Sequence, residues 1–261
     1  MLNLNEMFRR GHIIWGSVLK FNDPAVVEIL GTVGFQFVVI DREHATLDEL
    51  AVEHLIRAAL LTGIAPVVRV SENRAPMISK ALDMGASGVV VPHITTRADA
   101  ERAVRAAKFY PLGERGVDST VRAGNYSLFN PTEYYRTSNE NTAIILQLEG
   151  LEAVENVEEI VAVPAIDAIF VGPYDLSQSM GIPGQVQDAE LRRKMKMVIA
   201  VCKQVDITIG TFVGSLDDFE FWVDAGVQFF WYSTDSVMFA SEAKRVGEML
   251  TTSSQDKSST A

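Results

Sequence analysis

The sequence predicts a single (β/α)8 barrel, and three observations predict it. Short apolar runs recur along the 261 residues, helix-like segments fill the gaps, and several of those segments end in glycine just before the next run. The runs are continuous rather than alternating, as strands buried on both faces of a parallel sheet require. Glycine at the end of a helix supplies the left-handed residue that stops it. Eight runs with a comparable number of helices in about 250 residues fit a closed barrel better than an open doubly wound sheet. One domain is expected over residues 1–250, followed by a disordered Ser/Thr-rich tail, "TTSSQDKSSTA", at 251–261.

The first run, "IIWGSVL" (13–19), follows an N-terminal segment without the charged start, apolar centre and cleavage site of a secretion signal. The second, "FQFVVID" (35–41), ends on Asp41 and passes directly into Arg42, Glu43 and His44. Four adjacent ionisable groups beside a buried strand are costly unless something uses them. After the helical "TLDELAVEHLIRAALLTG" comes "APVVRV" (65–70), an otherwise apolar strand interrupted by Arg69. A planar guanidinium there matches a carboxylate or a developing oxyanion; pairing with Glu149 or Asp41 is the alternative. "ENRAPMISKALDMGA" leads to "GVVVPH" (88–93), which closes on His93, either a support for the site or a packing residue.

The helical "TRADAERAVRAAKFY" gives way to a long insertion, "PLGERGVDSTVRAGNYSLFNPTEYYRTSNEN", read as a functional or mobile loop. The fifth run, "AIILQLE" (143–149), carries Gln147 and Glu149 two residues apart and therefore on one face of the strand. The sixth, "AIFVGP" (168–173), enters "GPYDLSQSMG", where Gly172 to Ser177 offers backbone N–H groups at a helix start. "TIGTFV" (208–213) and "FFWYSTD" (229–235) complete the set, the last ending near Ser233 and Thr234. Aromatic residues crowd the segment from Phe219 to Phe239, enough for core packing and a subunit interface.

Active sites of this architecture lie at the C-terminal strand ends. Asp41, Glu43, His44, Arg69, His93, Glu149 and Asp175 all fall there. Glu149 and Asp175, on adjacent strand ends without cysteine or paired histidine, suit a hard cation: Mg²⁺, with Mn²⁺ or Co²⁺ as substitutes. A buried Glu149–Arg69 ion pair is the competing assignment. His44 is the natural general base, with Asp41 three residues earlier to orient it; capping of the following helix is its alternative role. "DREH" lacks the second histidine of a zinc-protease motif.

Cys202 is the only cysteine, which excludes an intrachain disulfide and a cysteine metal cluster and suits a reducing cytoplasm. A net charge of −11 without a basic block argues against nucleic-acid binding. No apolar run approaches the roughly 18–20 residues that span a bilayer.

The stretches "GSVLKFNDPAVVEILGTVGFQFVVIDREH", "PVVRV", "ALDMGASGVVVPHI", "GERGVDS", "ILQLEG" and "DAIFVGPYDLSQSMG" resemble, in that order, motifs of the HpcH/HpaI class II pyruvate aldolases. Members include 4-hydroxy-2-oxoheptanedioate and 2-keto-3-deoxy sugar-acid aldolases, and the match covers residues 12–248. The resemblance implies a (β/α)8 barrel whose final helix is exchanged between subunits of a hexamer, a dimer of trimers. It implies reversible cleavage of a 4-hydroxy-2-oxo acid to pyruvate and an aldehyde through a metal-bound pyruvate enolate. On that basis Glu149 and Asp175 would hold Mg²⁺, Mn²⁺ or Co²⁺, and Arg69 would steady the enolate and the aldol oxygen. His44 with Asp41 would be a base dyad acting through water. Gln147 would lie near pyruvate, and backbone N–H groups around Pro173, Tyr174 and Asp175 would hold its carboxylate.

Arg42 departs from the Gly that familiar members often carry, and Gly150 from a Thr; neither change touches a ligand. Residues 115–130, or a neighbouring chain with them, are expected to meet the aldehyde. The predicted strands contain no lysine, which argues against a Schiff-base aldolase. Related enolate chemistry would serve a citrate-lyase-β-like acyl-CoA ester lyase or an oxaloacetate decarboxylase, but Glu43–His44 after Asp41 favours the aldolase. A barrel kept only for binding is disfavoured by the convergence of so many polar strand ends.

Overall fold

Continuous β-branched runs form the staves of a closed barrel in a computed structural model that describes residues 3–128 and 130–258. The strands are β1 (Ile14–Leu19), β2 (Phe37–Asp41), β3 (Ala65–Arg69), β4 (Gly88–Val91), β5 (Ala143–Leu148), β6 (Ala168–Val171), β7 (Thr208–Val213) and β8 (Phe229–Thr234). All pair in parallel in chain order, and β8 returns to β1. Helix α1 (Leu4–Arg9) precedes the barrel, and α2 (Pro24–Thr32), α3 (Glu49–Thr62), α4 (Ala75–Asp83) and α5 (Arg97–Ala107) follow the first four strands. Then come α6 (Pro131–Asn141), α7 (Leu151–Glu155), α8 (Val157–Val161), α9 (Pro173–Ser179), α10 (Ala189–Gln204), α11 (Leu216–Ala225) and α12 (Asp235–Ser258). None of the described helices is long and apolar enough to cross a membrane.

Alternate residues of each strand divide the core into two shells. Val38, Ile40, Val68 and Ile169 pack under the helices. Phe37, Val39, Val67, Phe170, Phe229 and Trp231 fill the lumen, and α1 closes its lower end with Leu4 and Phe8. The Phe8 and Phe229 ring centroids lie 5.2 Å apart, edge to face. Gly16 is required here: a Cβ would stand 2.4 Å from the Phe37 ring. The β2–β3 register sets Asp41 directly beside Arg69 at the upper rim.

Two segments differ from the sequence expectation. The insertion after α5 is not one long loop: it contains a 3₁₀ turn at Arg122–Ser127 and then α6. Asn130 caps α6 through its side chain and Pro131 occupies the first turn, a start signal masked by the polar composition of the helix. Because the insertion follows α5, it lies at the lower, N-terminal ends of the strands. Lys108 Nζ donates to the carbonyls of Asn139 (2.8 Å) and Thr142 (2.7 Å), and Arg115 pairs with Asp83 at the end of α4 (2.5 Å). Within one chain, then, residues 115–130 face away from the C-terminal rim rather than meeting an aldehyde there. At the other end of the chain, α12 continues through 251–258, where Thr251, Thr252 and Ser254 hydroxyls bond to carbonyls of their own helix. Residues 259–261 of the expected disordered tail lie outside the described residues.

Candidate active site

Asp41 closes β2 and is completely buried, so its charge needs partners. Arg69, one strand over, supplies a bidentate pair, Nε to Oδ1 at 2.9 Å and Nη2 to Oδ2 at 2.8 Å. Lys20, the residue after β1, donates its ammonium to Oδ2. The backbone N–H groups of Glu43 (3.0 Å) and His44 (3.3 Å) donate to Oδ1. Burial alone would raise the Asp41 carboxyl, but Arg69 and then Lys20 outweigh it and hold the group at about 2.

Arg69 also places Nη1 2.9 Å from Glu43 Oε2, an ionic contact without hydrogen-bond alignment, and its guanidinium lies 5.5 Å from the Trp231 ring centroid. Burial raises the Glu43 carboxyl above its ordinary value; Arg69 opposes this and Glu149 adds to it. Arg69 therefore pairs with Asp41 and Glu43, and the alternative Glu149–Arg69 salt bridge is not formed.

His44 stands at the rim with its side chain 58% exposed. It does not cap the next helix; Asp48 does, by accepting from the Ala51 N–H. Asp41 meets His44 at the backbone, whereas the imidazole Nε2 lies 3.9 Å from Glu43 Oε2. Asp41 thus fixes the loop that carries His44 rather than gripping its ring.

Glu149 is held from two sides. Gln147 donates its amide to Oε2. His93, left-handed at φ 57°, turns its own N–H onto Oε1 (2.7 Å) and places ring Nδ1 2.6 Å from the same oxygen. Its Nε2 sits 3.0 Å from Glu43 Oε1, so His93 bridges two carboxylates. With its side chain 67% exposed, His93 is a support for the site and not a packing residue. A non-glycine residue at positive φ is uncommon, and here the backbone conformation delivers a hydrogen bond to the site.

Asp175 lies in the first turn of α9, which begins at Gly172. Pro173 has no N–H, so the free donors of that turn are Tyr174 and Asp175. A Cβ at position 172 would stand 3.4 Å from Glu149 Cβ, 3.6 Å from Gln147 Nε2 and 3.7 Å from Asp175 Oδ2. Glycine thus leaves a small space open between the two carboxylate side chains. Gln147 Oε1, buried beside it, has no partner among the described residues. A hard divalent cation fits this setting: the donors are oxygens, and the four carboxylates Asp41, Glu43, Glu149 and Asp175 outnumber the cations Lys20 and Arg69. Glu149 also belongs to a second donor group, with Glu43 and His93, whose ligand atoms lie within 4.8 Å of one another.

A cavity of about 160 Å³ opens above these groups, lined by Lys20, His44, Arg69, Gln147, Gly172 to Asp175, Trp231 and Thr234. His44, Arg69, Gln147, Pro173, Tyr174 and Asp175 therefore face one space, and Asp41 and Glu149 join it through Arg69 and Gln147. Lys20 escaped the sequence reading because it stands one residue beyond the apolar run. The rule that singled out Asp41, a charge directly after a buried strand, applies to it equally. Arg42 is not part of the lining; its N–H only extends the ladder to the Arg69 carbonyl (2.9 Å).

With this geometry established, comparison with known proteins gives a consistent picture. The family model described as HpcH/HpaI aldolase/citrate lyase matches residues 17–241. A 2-dehydro-3,6-dideoxy-6-sulfogluconate aldolase from Pseudomonas putida is 32% identical over 240 residues, covering 92% of this chain and 93% of the relative. A 5-keto-4-deoxy-D-glucarate aldolase from Citrobacter koseri is 30% identical over 226 residues, 87% of each chain. Among solved structures, an HpcH/HpaI aldolase/citrate lyase family protein from Burkholderia cenocepacia superposes with a TM-score of 0.90 at 31% identity, covering 95% of this chain and 99% of the other. The citrate synthase SbnG does so with a TM-score of 0.86 at 31% identity, covering 98% and 99%.

Proposed function

We propose the function of this chain from one premise: it belongs to the HpcH/HpaI aldolase/citrate lyase family and is a carbon–carbon lyase. Its reaction is the reversible retro-aldol cleavage of a 4-hydroxy-2-oxo acid, of the sugar-acid class, to pyruvate and an aldehyde. The enzyme works in the cytoplasm and depends on a divalent cation. The observation that carries this reading is one cavity that gathers His44, Arg69, Gln147 and Asp175, with Gly172 leaving room for a methyl-sized group between Glu149 Cβ and Asp175 Oδ2.

Glu149 and Asp175 would hold the cation, which when bound would supply Lewis-acid stabilisation of developing negative charge. Arg69, locked by Asp41 and Glu43, adds fixed positive charge that needs no reorganisation. The N–H groups of Tyr174 and Asp175 receive the carboxylate of pyruvate, and Gln147 borders the same end. At the exposed rim, His44 moves the proton of the aldol hydroxyl through a water molecule. Lys20 stands in the cavity with its amine engaged by Asp41 Oδ2.

Support for assembly comes from α12. Phe239, Val246 and Leu250 recur at helical spacing and are 69%, 40% and 67% exposed. At the root of the helix, an apolar groove of about 670 Å³ runs between Phe21, Val26, Ile29, Val33 and Phe239. The occupant of that groove is α12 of a second copy, as expected for an exchanged helix in a dimer of trimers.

Cation binding tests the assignment. Titration with Mn²⁺ followed by electron paramagnetic resonance should give a site in the wild type that Glu149→Gln and Asp175→Asn each weaken at least about 100-fold. Cleavage at full rate after exhaustive chelation would overturn the reading. The likeness to a citrate synthase favours a runner-up in which related enolate chemistry serves an acyl-CoA ester or oxaloacetate. Acyl-CoA turnover faster than aldol cleavage would establish it.

A further inference from the structure

Lys20 brings the only ammonium to the cavity lining among the described residues, and the aldol cleavage as described gives it no task. Its position is built from both ends. The N–H groups of Lys20 and Phe21 donate to the two oxygens of Asp235, at 2.9 and 3.0 Å, and Asp235 is itself buried at the start of α12. At the tip, the ammonium rests on Asp41 Oδ2. An ammonium has three donors. Asp41 takes one, and no other hydrogen bond engages the tip among the described residues.

Asp41 is shared: its two oxygens also receive the Arg69 fork, and Arg69 in turn meets Glu43. Lys20 and Arg69 thus balance Asp41 and Glu43, while two donors of the Lys20 ammonium stay open to the cavity. The side chain is a quarter exposed, and the cavity it lines is also bordered by Val18, Phe170, Phe212 and Trp231, apolar walls near which a positive charge acts more strongly than in bulk water.

Barrel order decides which part of the substrate meets this charge. With eight strands paired in sequence, β5 stands opposite β1. The pyruvate half, held at the ends of β5 and β6, therefore leaves the other half directed toward the ends of β8, β1 and β2. That side is lined by Val18, Lys20, His44, Trp231 and Thr234. The anions at those strand ends, Asp41 and Glu43, are held on Arg69 and do not line the cavity.

We infer that Lys20 is a specificity residue that receives a carboxylate on the aldehyde half of the substrate. The inference rests on the aldolase reading and deepens it: the acceptor is an acidic aldehyde, not a neutral one.

The test measures aldol addition of pyruvate to 4-oxobutanoate and to pentanal, aldehydes of similar length with and without a carboxylate. The wild type should prefer 4-oxobutanoate. Lys20→Met should cut kcat/KM for that acceptor about tenfold or more, chiefly through KM, and bring the preference toward unity. Lys20→Arg should retain most of the preference. Lys20→Gln, which keeps a donor for Asp41, replaces the Met variant if that does not fold.

Equal losses for both aldehydes would overturn the inference, because they would mean that Lys20 acts only by steadying Asp41. Deuterium exchange into the pyruvate methyl group by the wild type is followed in parallel. Exchange with an unchanged acceptor preference rejects the role of Lys20 alone, whereas absence of exchange rejects the aldolase reading and this inference together.

Discussion

Asp41 ties the rim together: it anchors Arg69, Lys20 and the loop bearing His44 while contributing no surface of its own. Its carboxyl is held at about 2, below the usual 3.8, so the folded state favours the ionised form. The stabilisation is fully present above about pH 4 and is lost as pH falls through the folded value, a span of about 2 kcal/mol. Urea unfolding should show wild-type stability declining between pH 4 and 2, with that part of the decline absent in Asp41→Asn. Identical profiles would mean that the charge is not linked to folding. Asp41, Arg69 and Glu149 were legible in the sequence because each interrupts or ends an apolar strand. His93 was legible only as a strand end. What gives it a function is a left-handed backbone that no residue identity announces.

Among the elements, the strands were the most legible: the eight apolar runs coincide with β1 to β8 to within one or two residues. Strands buried on both faces leave an uninterrupted signal. Helix α6 was not legible, since Tyr134 is its one buried residue and its start signal sat inside a polar stretch. The likeness to family motifs placed residues 115–130 near the aldehyde, but the course of α5 carries them to the lower face. Helix α12 leaves the barrel with Phe239, Val246 and Leu250 exposed, the observation on which the proposed exchange with another chain rests. The 261-residue chain should sediment at several times 28.7 kDa. A chain ending at Phe239 should keep the barrel's circular dichroism but lose that mass. A monomeric 261-residue chain would remove helix exchange from the account.

At the scale of the whole molecule, the two ends of the barrel divide the work. Leu4, Phe8, Lys108 and Arg115 close or brace the lower face, whereas the charges that do not stabilise the fold alone gather at the upper rim. On the proposed reaction an acidic protein would bind acidic substrates and so need local cations; Arg69 and Lys20 line the cavity where it opens. The central claim is that this rim removes and returns a proton at the methyl carbon of pyruvate with a divalent cation present. The direct measurement is deuterium incorporation into that methyl group in D₂O, with Mg²⁺ and again with excess chelator, and no aldehyde added. Rapid incorporation that chelation stops, and that Glu149→Gln abolishes, is the expected result. Absence of incorporation with Mg²⁺, Mn²⁺ and Co²⁺ alike would contradict the account.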